Sequence, residues 1–174
     1  AQLMPTFTSI PHDAFEAQVK LLAADIIDSG WTPSFIIGIG RGGLAPAVYL
    51  SHATGLPMLS VDHSSRVEDF SDAPLIKLAA RTRDGERLLF VDDINDSGAT
   101  IGKLRAALAT AGAARDHVRF ATLLDNKRSR EQVDYRAEVI DRDERKDWFV
   151  FPWEAVAPQA SLDADAAEVP DRIA

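Results

Sequence analysis

Apolar positions follow two different periods along this chain. Between His12 and Ser29, the residues Phe15, Val19, Leu22, Ala23, Ile26 and Ile27 recur at helical spacing, and Gly30 marks a stop. Phe35-Ile36-Ile37-Gly38-Ile39 is a short continuous run, which suits a strand covered on both faces. Gly40 to Gly43 turns the chain into a helix over Leu44 to Thr54. Pro46 is tolerated there only in the first turn, and Gly55 ends the helix. Met58 to Val61, Arg87 to Val91 and Val118 to Leu124 read as further strands. Ala137 to Ile140 and Trp148 to Phe151 read as two more short ones. Ala99 to Ala111 is an amphipathic helix with Ile101, Leu104, Leu108 and Ala111 on one face. Strand and helix alternate, so the pattern predicts an α/β fold with a mainly parallel sheet.

Three stretches lack either period. Residues 1–11 carry Pro5 and Pro11 and read as an extended lead-in. Residues 62–86 are polar and include Asp69, Asp72, Pro74 and Arg81, which suits a functional flap or minor structure. Beyond Glu154 the chain turns to Ala, Asp and Pro, so residues 155–174 read as a disordered acidic tail.

Composition narrows the function. At 174 residues and 46% apolar, the chain is one domain's worth with enough material for a core. A formal charge of −8 disfavours a broad nucleic-acid surface. It leaves room for a local phosphate site built from backbone N–H groups. The absence of cysteine removes disulfides, thiol nucleophiles and thiolate metal sites. His12, His52, His63 and His117 are scattered without metal-ligand spacing. No apolar run approaches the ~20 residues of a membrane span, and no leader pattern opens the sequence. The expectation is a cytoplasmic chain with no nucleic-acid or membrane partner.

The chemistry concentrates in Arg87 to Leu104, RLLFVDDINDSGATIGKL. An apolar strand ends in Asp92-Asp93, a polar turn runs to Gly98, and a helix begins. Ligands of open α/β sheets sit beyond the carboxyl ends of strands. Small residues let backbone N–H groups approach an anion, and a helix N-terminus adds positive potential. Asp96, Ser97, Gly98, Ala99 and Thr100 therefore read as a monophosphate cradle. Asp92 and Asp93 beside it are suited to a diol and to Mg²⁺. Together they suggest a ribose 5-phosphate site. A plain strand-to-helix turn capped by Asp and Ser is the ordinary alternative for any one of these residues.

VDDINDSGAT resembles the phosphoribosyl-pyrophosphate motif of the type I phosphoribosyltransferases. The resemblance implies a five-stranded parallel core flanked by helices, a small hood, a flexible flap, Mg²⁺, and 5-phosphoribosyl 1-diphosphate as substrate. It makes residues 1–154 one domain, with the flap at about 62–86. The hood would come from the N-terminal segment and about 126–154. Gly38-Ile39-Gly40-Arg41-Gly42-Gly43 formally matches a dinucleotide fingerprint, with Asp62 near the end of the next strand. That reading, a nicotinamide oxidoreductase, leaves Asp92 to Thr100 unexplained. GRGGL is similar instead to the family's diphosphate-binding loop. Arg41 and Gly42 would then meet the diphosphate, with Gly40–Arg41 a cis peptide.

Asp147 to Glu154, DWFVFPWE, resembles the end of the xanthine–guanine and hypoxanthine branch. By that resemblance Trp148 stacks on the purine and the backbone of Phe149 meets its exocyclic group. Lys127 donates to a 6-oxo group, Asp93 binds Mg²⁺ directly or through water, and Asp96 faces purine N7 as general acid/base. The implied activity is transfer of the 5-phosphoribosyl group to N9 of guanine, xanthine or hypoxanthine, in a homodimer or homotetramer. The alternative is a non-catalytic sensor of the sugar diphosphate or of nucleotides on the same fold. Two departures stand out. Ser64-Ser65-Arg66 lacks the tyrosine common at the start of the flap, which assigns closure to Arg66 or Arg81. The stretch Asn126 to Asp134 is also about one residue short of the family pattern.

Overall fold

Phe35–Gly40 forms β2, and its alternate side chains enter two different cores. Ile36 packs on one side of the sheet and Ile37 and Ile39 on the other. This is the geometry of a strand covered on both faces. The computed structural model describes residues 5–63 and 72–167. Along the chain run β1 (Phe7–Ser9), α1 (His12–Asp28), β2, α2 (Leu44–Thr54), β3 (Met58–Asp62) and α3 (Asp72–Arg83). They are followed by β4 (Leu88–Asn95), α4 (Ala99–Thr110), β5 (Val118–Asn126), β6 (Tyr135–Ile140), β7 (Trp148–Val150) and α5 (Gln159–Ala167).

Five strands pair in the order β3-β2-β4-β5-β6, all parallel. Phe15, Leu22 and Ile26 of α1 and Leu50 of α2 share one core with Ile36, Leu89, Val91 and Leu123. Leu75 and Leu78 of α3 and Ile101, Leu104 and Leu108 of α4 share the other with Ile37, Leu88, Phe90 and Phe120. Phe90 stacks on Phe120 across neighbouring strands, ring centres 5.4 Å apart. A separate two-stranded parallel sheet joins β1 to β7, with Thr8 opposite Phe149.

The fold is the α/β architecture expected, and three local readings need correction. Residues 92–95 are strand rather than turn, because Asp92, Ile94 and Asn95 remain paired with β5. Within the lead-in, Phe7–Ser9 has the extended backbone expected, and β7 takes it up as a strand. Of the expected flap, residues 72–83 form helix α3, which buries Leu75, Leu78 and Ala79 against the sheet. Polar residues on the other face of α3 hid that period. Ser64, Ser65 and Arg66 lie outside the described residues. The tail reading fails for residues 159–167, which form α5 with Leu162 and Ala166 buried. Two small apolar anchors on one helical face are enough to dock an otherwise polar segment. No helix among the described residues is long and apolar enough to cross a membrane.

Candidate functional site

The site is set by where strand pairing stops. β2 leads outward to β3, and β4 leads outward to β5, so the chain reverses its winding between β2 and β4. A crevice forms at the carboxyl ends of two strands with diverging connections. The β2–β4 ladder ends at Gly38 opposite Val91, while β4 continues along β5. Asp92 and Asp93 therefore extend beyond the last β2 pair and face the loop after β2. That loop begins with a cis peptide between Gly40 and Arg41. Its Gly42 stands against Asp93: a Cβ added there would lie 2.6 Å from Oδ2. Only a residue without a side chain lets the two loops meet.

Asp92 and Asp93 are tied together by a backbone hydrogen bond. The Asp93 N–H donates to Asp92 Oδ1 at 2.9 Å, and the Ile94 N–H donates to Asp93 Oδ1 at 2.7 Å. Burial holds the Asp92 carboxyl well above the ordinary carboxylate range, and the charge of Asp93 pushes the same way. Adjacent carboxylates in that state are suited to a divalent cation. No group of three potential ligands gathers among the described residues. Mg²⁺ matches such a sparse set, because it keeps most of its waters and takes substrate phosphates as ligands. Glu154 belongs to the same neighbourhood. Burial, Asp93 and Asp165 push its carboxyl up to about 8, against a smaller opposing effect of Arg41.

Residues 92–101 line a hollow of about 150 Å³. Gly98 caps α4 with a left-handed backbone, φ 88°, and the first turn of the helix, from Ala99 to Ile101, lines the hollow. The Ala99 N–H donates to Ser97 Oγ at 3.2 Å. The loop after β5 supports the cradle from behind. The Arg130 N–H donates to the Ser97 carbonyl at 3.2 Å, and Ser129 Oγ donates to Asn95 Oδ1 at 2.8 Å. A wider groove of about 900 Å³ between α4 and β5 lies elsewhere, and its Arg105 is paired with Glu131.

Asp96 is buried and faces Arg142, which is buried too. Arg142 Nη2 lies 3.0 Å from Asp96 Oδ2, and Nε lies 3.1 Å from Oδ1. Asn126 Nδ2 donates to the Asp96 carbonyl at 3.0 Å. On the hood side, Lys127 Nζ is 2.8 Å from Asp141, an acid held well below the ordinary range by Arg128 and Lys127. Trp148 is half-buried on β7, and its backbone N–H donates to the Thr6 carbonyl at 2.7 Å. The Phe149 ring carries two guanidinium groups, Arg142 at 5.2 Å and Arg145 at 4.8 Å.

Residues 10–159 match the phosphoribosyl transferase domain. This chain belongs to the type I phosphoribosyltransferase family. It is similar to a xanthine-guanine phosphoribosyltransferase of Idiomarina loihiensis, 31% identical over 122 residues, covering 68% of this chain and 70% of that one. In fold it resembles the purine phosphoribosyltransferase of Pyrococcus horikoshii, with TM-score 0.63, 24% identity, and coverage of 87% of this chain and 97% of that one. It also resembles a hypothetical protein of Neisseria gonorrhoeae with bound ppGpp, with TM-score 0.68, 22% identity, and coverage of 96% and 98%.

Within the phosphoribosyltransferase frame, Arg41 and Gly42, Asp92 and Asp93, and the cradle 96–100 come together at one end of the sheet. Arg81 does not join them. It bonds Glu86 at 2.8 Å and covers Phe35 at 5.1 Å, at the start of β2 and so at the opposite end. Helix α3 carries it there, which removes it as a closing contact. Sequence reading gave no role to Asn126, Arg142, Glu154 or Asp165. Arg142 sits in DRDERKD, a run of charges that reads as solvated surface, and no spacing marks it. Glu154 ends a quoted motif, but its approach to Asp93 depends on how the hood folds back.

Proposed function

We propose that this phosphoribosyltransferase transfers the 5-phosphoribosyl group of 5-phosphoribosyl 1-diphosphate to N9 of a 6-oxopurine, namely guanine, xanthine or hypoxanthine. The observation that carries this reading is the contact of Gly42 with Asp93, which joins the loop of Arg41 to the acids and phosphate cradle of β4. A sugar bearing phosphates at both ends needs those features side by side.

In this reading the N–H groups of Gly98, Ala99 and Thr100 and the Ser97 hydroxyl hold the 5-phosphate. Asp92 and Asp93 accept from the ribose hydroxyls. Arg41 and the Gly42 N–H hold the diphosphate. Asp93 would hold Mg²⁺ directly or through water, and the bound ion would supply charge neutralisation for the departing diphosphate. The bond from ribose C1 to the diphosphate oxygen breaks with its electron pair leaving on pyrophosphate. The bond from C1 to purine N9 forms, through an oxocarbenium-like state. The purine gives up one proton, for which Asp96 is the acceptor aimed at N7. Trp148 stacks on the base, the Phe149 backbone meets its exocyclic group, and Lys127 donates to the 6-oxo group after leaving Asp141. A cytoplasmic setting and a homodimer or homotetramer complete the reading.

The test is pyrophosphate release from the sugar diphosphate with Mg²⁺ and guanine, hypoxanthine, xanthine or adenine. Release with 6-oxopurines and little with adenine is expected. No release with any base overturns the reading. One observation favours a second reading, a sensor of nucleotides. One protein of similar fold holds ppGpp. Nucleotide binding without pyrophosphate release would establish that second reading.

A further inference from the structure

Arg142 lies between β6 and β7, and its side chain is 8% exposed against 7% for that of Asp96. The guanidinium meets the carboxylate with two prongs, Nε on Oδ1 and Nη2 on Oδ2. Its remaining nitrogen, Nη1, donates to the Asp147 carbonyl at 2.6 Å. Its plane covers the ring of Phe149. The backbone N–H of Arg142 donates to Asn126 Oδ1 at 3.2 Å, and the other end of that amide holds the Asp96 carbonyl. One side chain thus fastens the end of β4 to the residue that precedes Trp148.

Burying two charges is costly, and well-packed apolar side chains would serve stability at least as well. The pair therefore earns its place through what it fixes. A carboxylate gripped on both oxygens by a planar fork cannot rotate. The peptide entering Trp148 is held by the same guanidinium. On the transferase reading above, these are the two groups that meet opposite parts of the purine.

We propose that Arg142 is a positioning residue for the base: it sets the rotation of Asp96 and the place of Trp148 relative to it. The inference rests on the proposed purine site and concerns one half of it. Arg142 touches the sugar-phosphate half only at Asp96, the first residue of the cradle; the N–H groups of Gly98 to Thr100 belong to the start of α4, so the larger effect of Arg142 falls on the base.

The experiment compares the full chain with its Arg142→Lys and Arg142→Ala variants, using calorimetric binding of GMP and, separately, of ribose 5-phosphate. Arg142→Ala should weaken GMP by about 10-fold or more while ribose 5-phosphate changes by less than about 2-fold. Arg142→Lys keeps the charge without the fork and should not restore GMP binding. Added guanidinium should restore part of it in Arg142→Ala. In turnover, the KM for the base should rise while that for the sugar diphosphate holds. Unchanged GMP binding, equal weakening of both ligands, or full function of the lysine variant overturns the proposal. A wild-type chain that binds none of GMP, IMP and XMP overturns the purine reading itself, and the role of Arg142 with it. If the alanine variant does not fold, the lysine variant carries the comparison.

Discussion

Gly42 and Asp93 touch so closely that a single added carbon at Gly42 would lie 2.6 Å from the carboxylate. The contact brings the loop after β2 onto the end of β4 at the point where the sheet reverses its winding. Gly42→Ala should push Asp93 aside and raise the KM for the sugar diphosphate by roughly 10-fold, with overpacking costing about 1–3 kcal/mol. Steady-state kinetics and thermal unfolding of the variant check both halves.

Asp96→Asn keeps the shape of the side chain and removes its charge. Turnover should fall by about 10²–10⁴-fold with binding of the sugar diphosphate retained. The buried guanidinium of Arg142 loses its counter-charge, so the variant should also be destabilised by about 3–5 kcal/mol. Sugar-diphosphate binding lost in step with rate would sink the acid/base role. A denaturation midpoint equal to wild type would show that the pair contributes nothing to stability.

Lys127→Ala separates recognition from stability. The lysine side chain is half-exposed, and its partner Asp141 keeps Arg128 at 3.1 Å. The loss of stability should stay within about 1 kcal/mol. Rates with guanine and hypoxanthine should fall, while the KM for the sugar diphosphate holds. Unaltered 6-oxopurine rates would remove Lys127 from the base site.

Glu154 gives a pH signature. Its folded carboxyl titrates near 8, above its ordinary value of 4.5, because burial and the charges of Asp93 and Asp165 oppose ionisation. Between those values the folded chain holds more protons than the unfolded one. The resulting stability is therefore complete below about 4.5 and is lost as pH rises through about 8. Glu154→Gln should flatten this decline and melt higher than wild type at alkaline pH, with no Mg²⁺ added. Melts from acid to alkaline pH compare the two proteins, and parallel curves would refute the assignment.

The apolar runs at Phe35, Leu88 and Val118 and the helical spacing after His12 and Ala99 determined the α/β class, because each period repeats within a few residues. The grouping of Asp92 to Thr100 was legible for the same reason: the segment is continuous in sequence, so its acids, hydroxyl groups and glycine stay together whatever surrounds them. Local pattern failed where anchoring is sparse. Helix α3 and helix α5 each bury only a few apolar side chains, and β1 exists because β7 pairs with it. Tertiary structure alone decided that Gly42 meets Asp93, that Asp93 and Asp165 crowd Glu154, and that Arg142 closes on Asp96. Those contacts join residues remote in sequence, and their energies come from burial and charge that arise only when the sheet and the hood assemble. An arginine within a run of charges looks like surface until the fold takes it out of water.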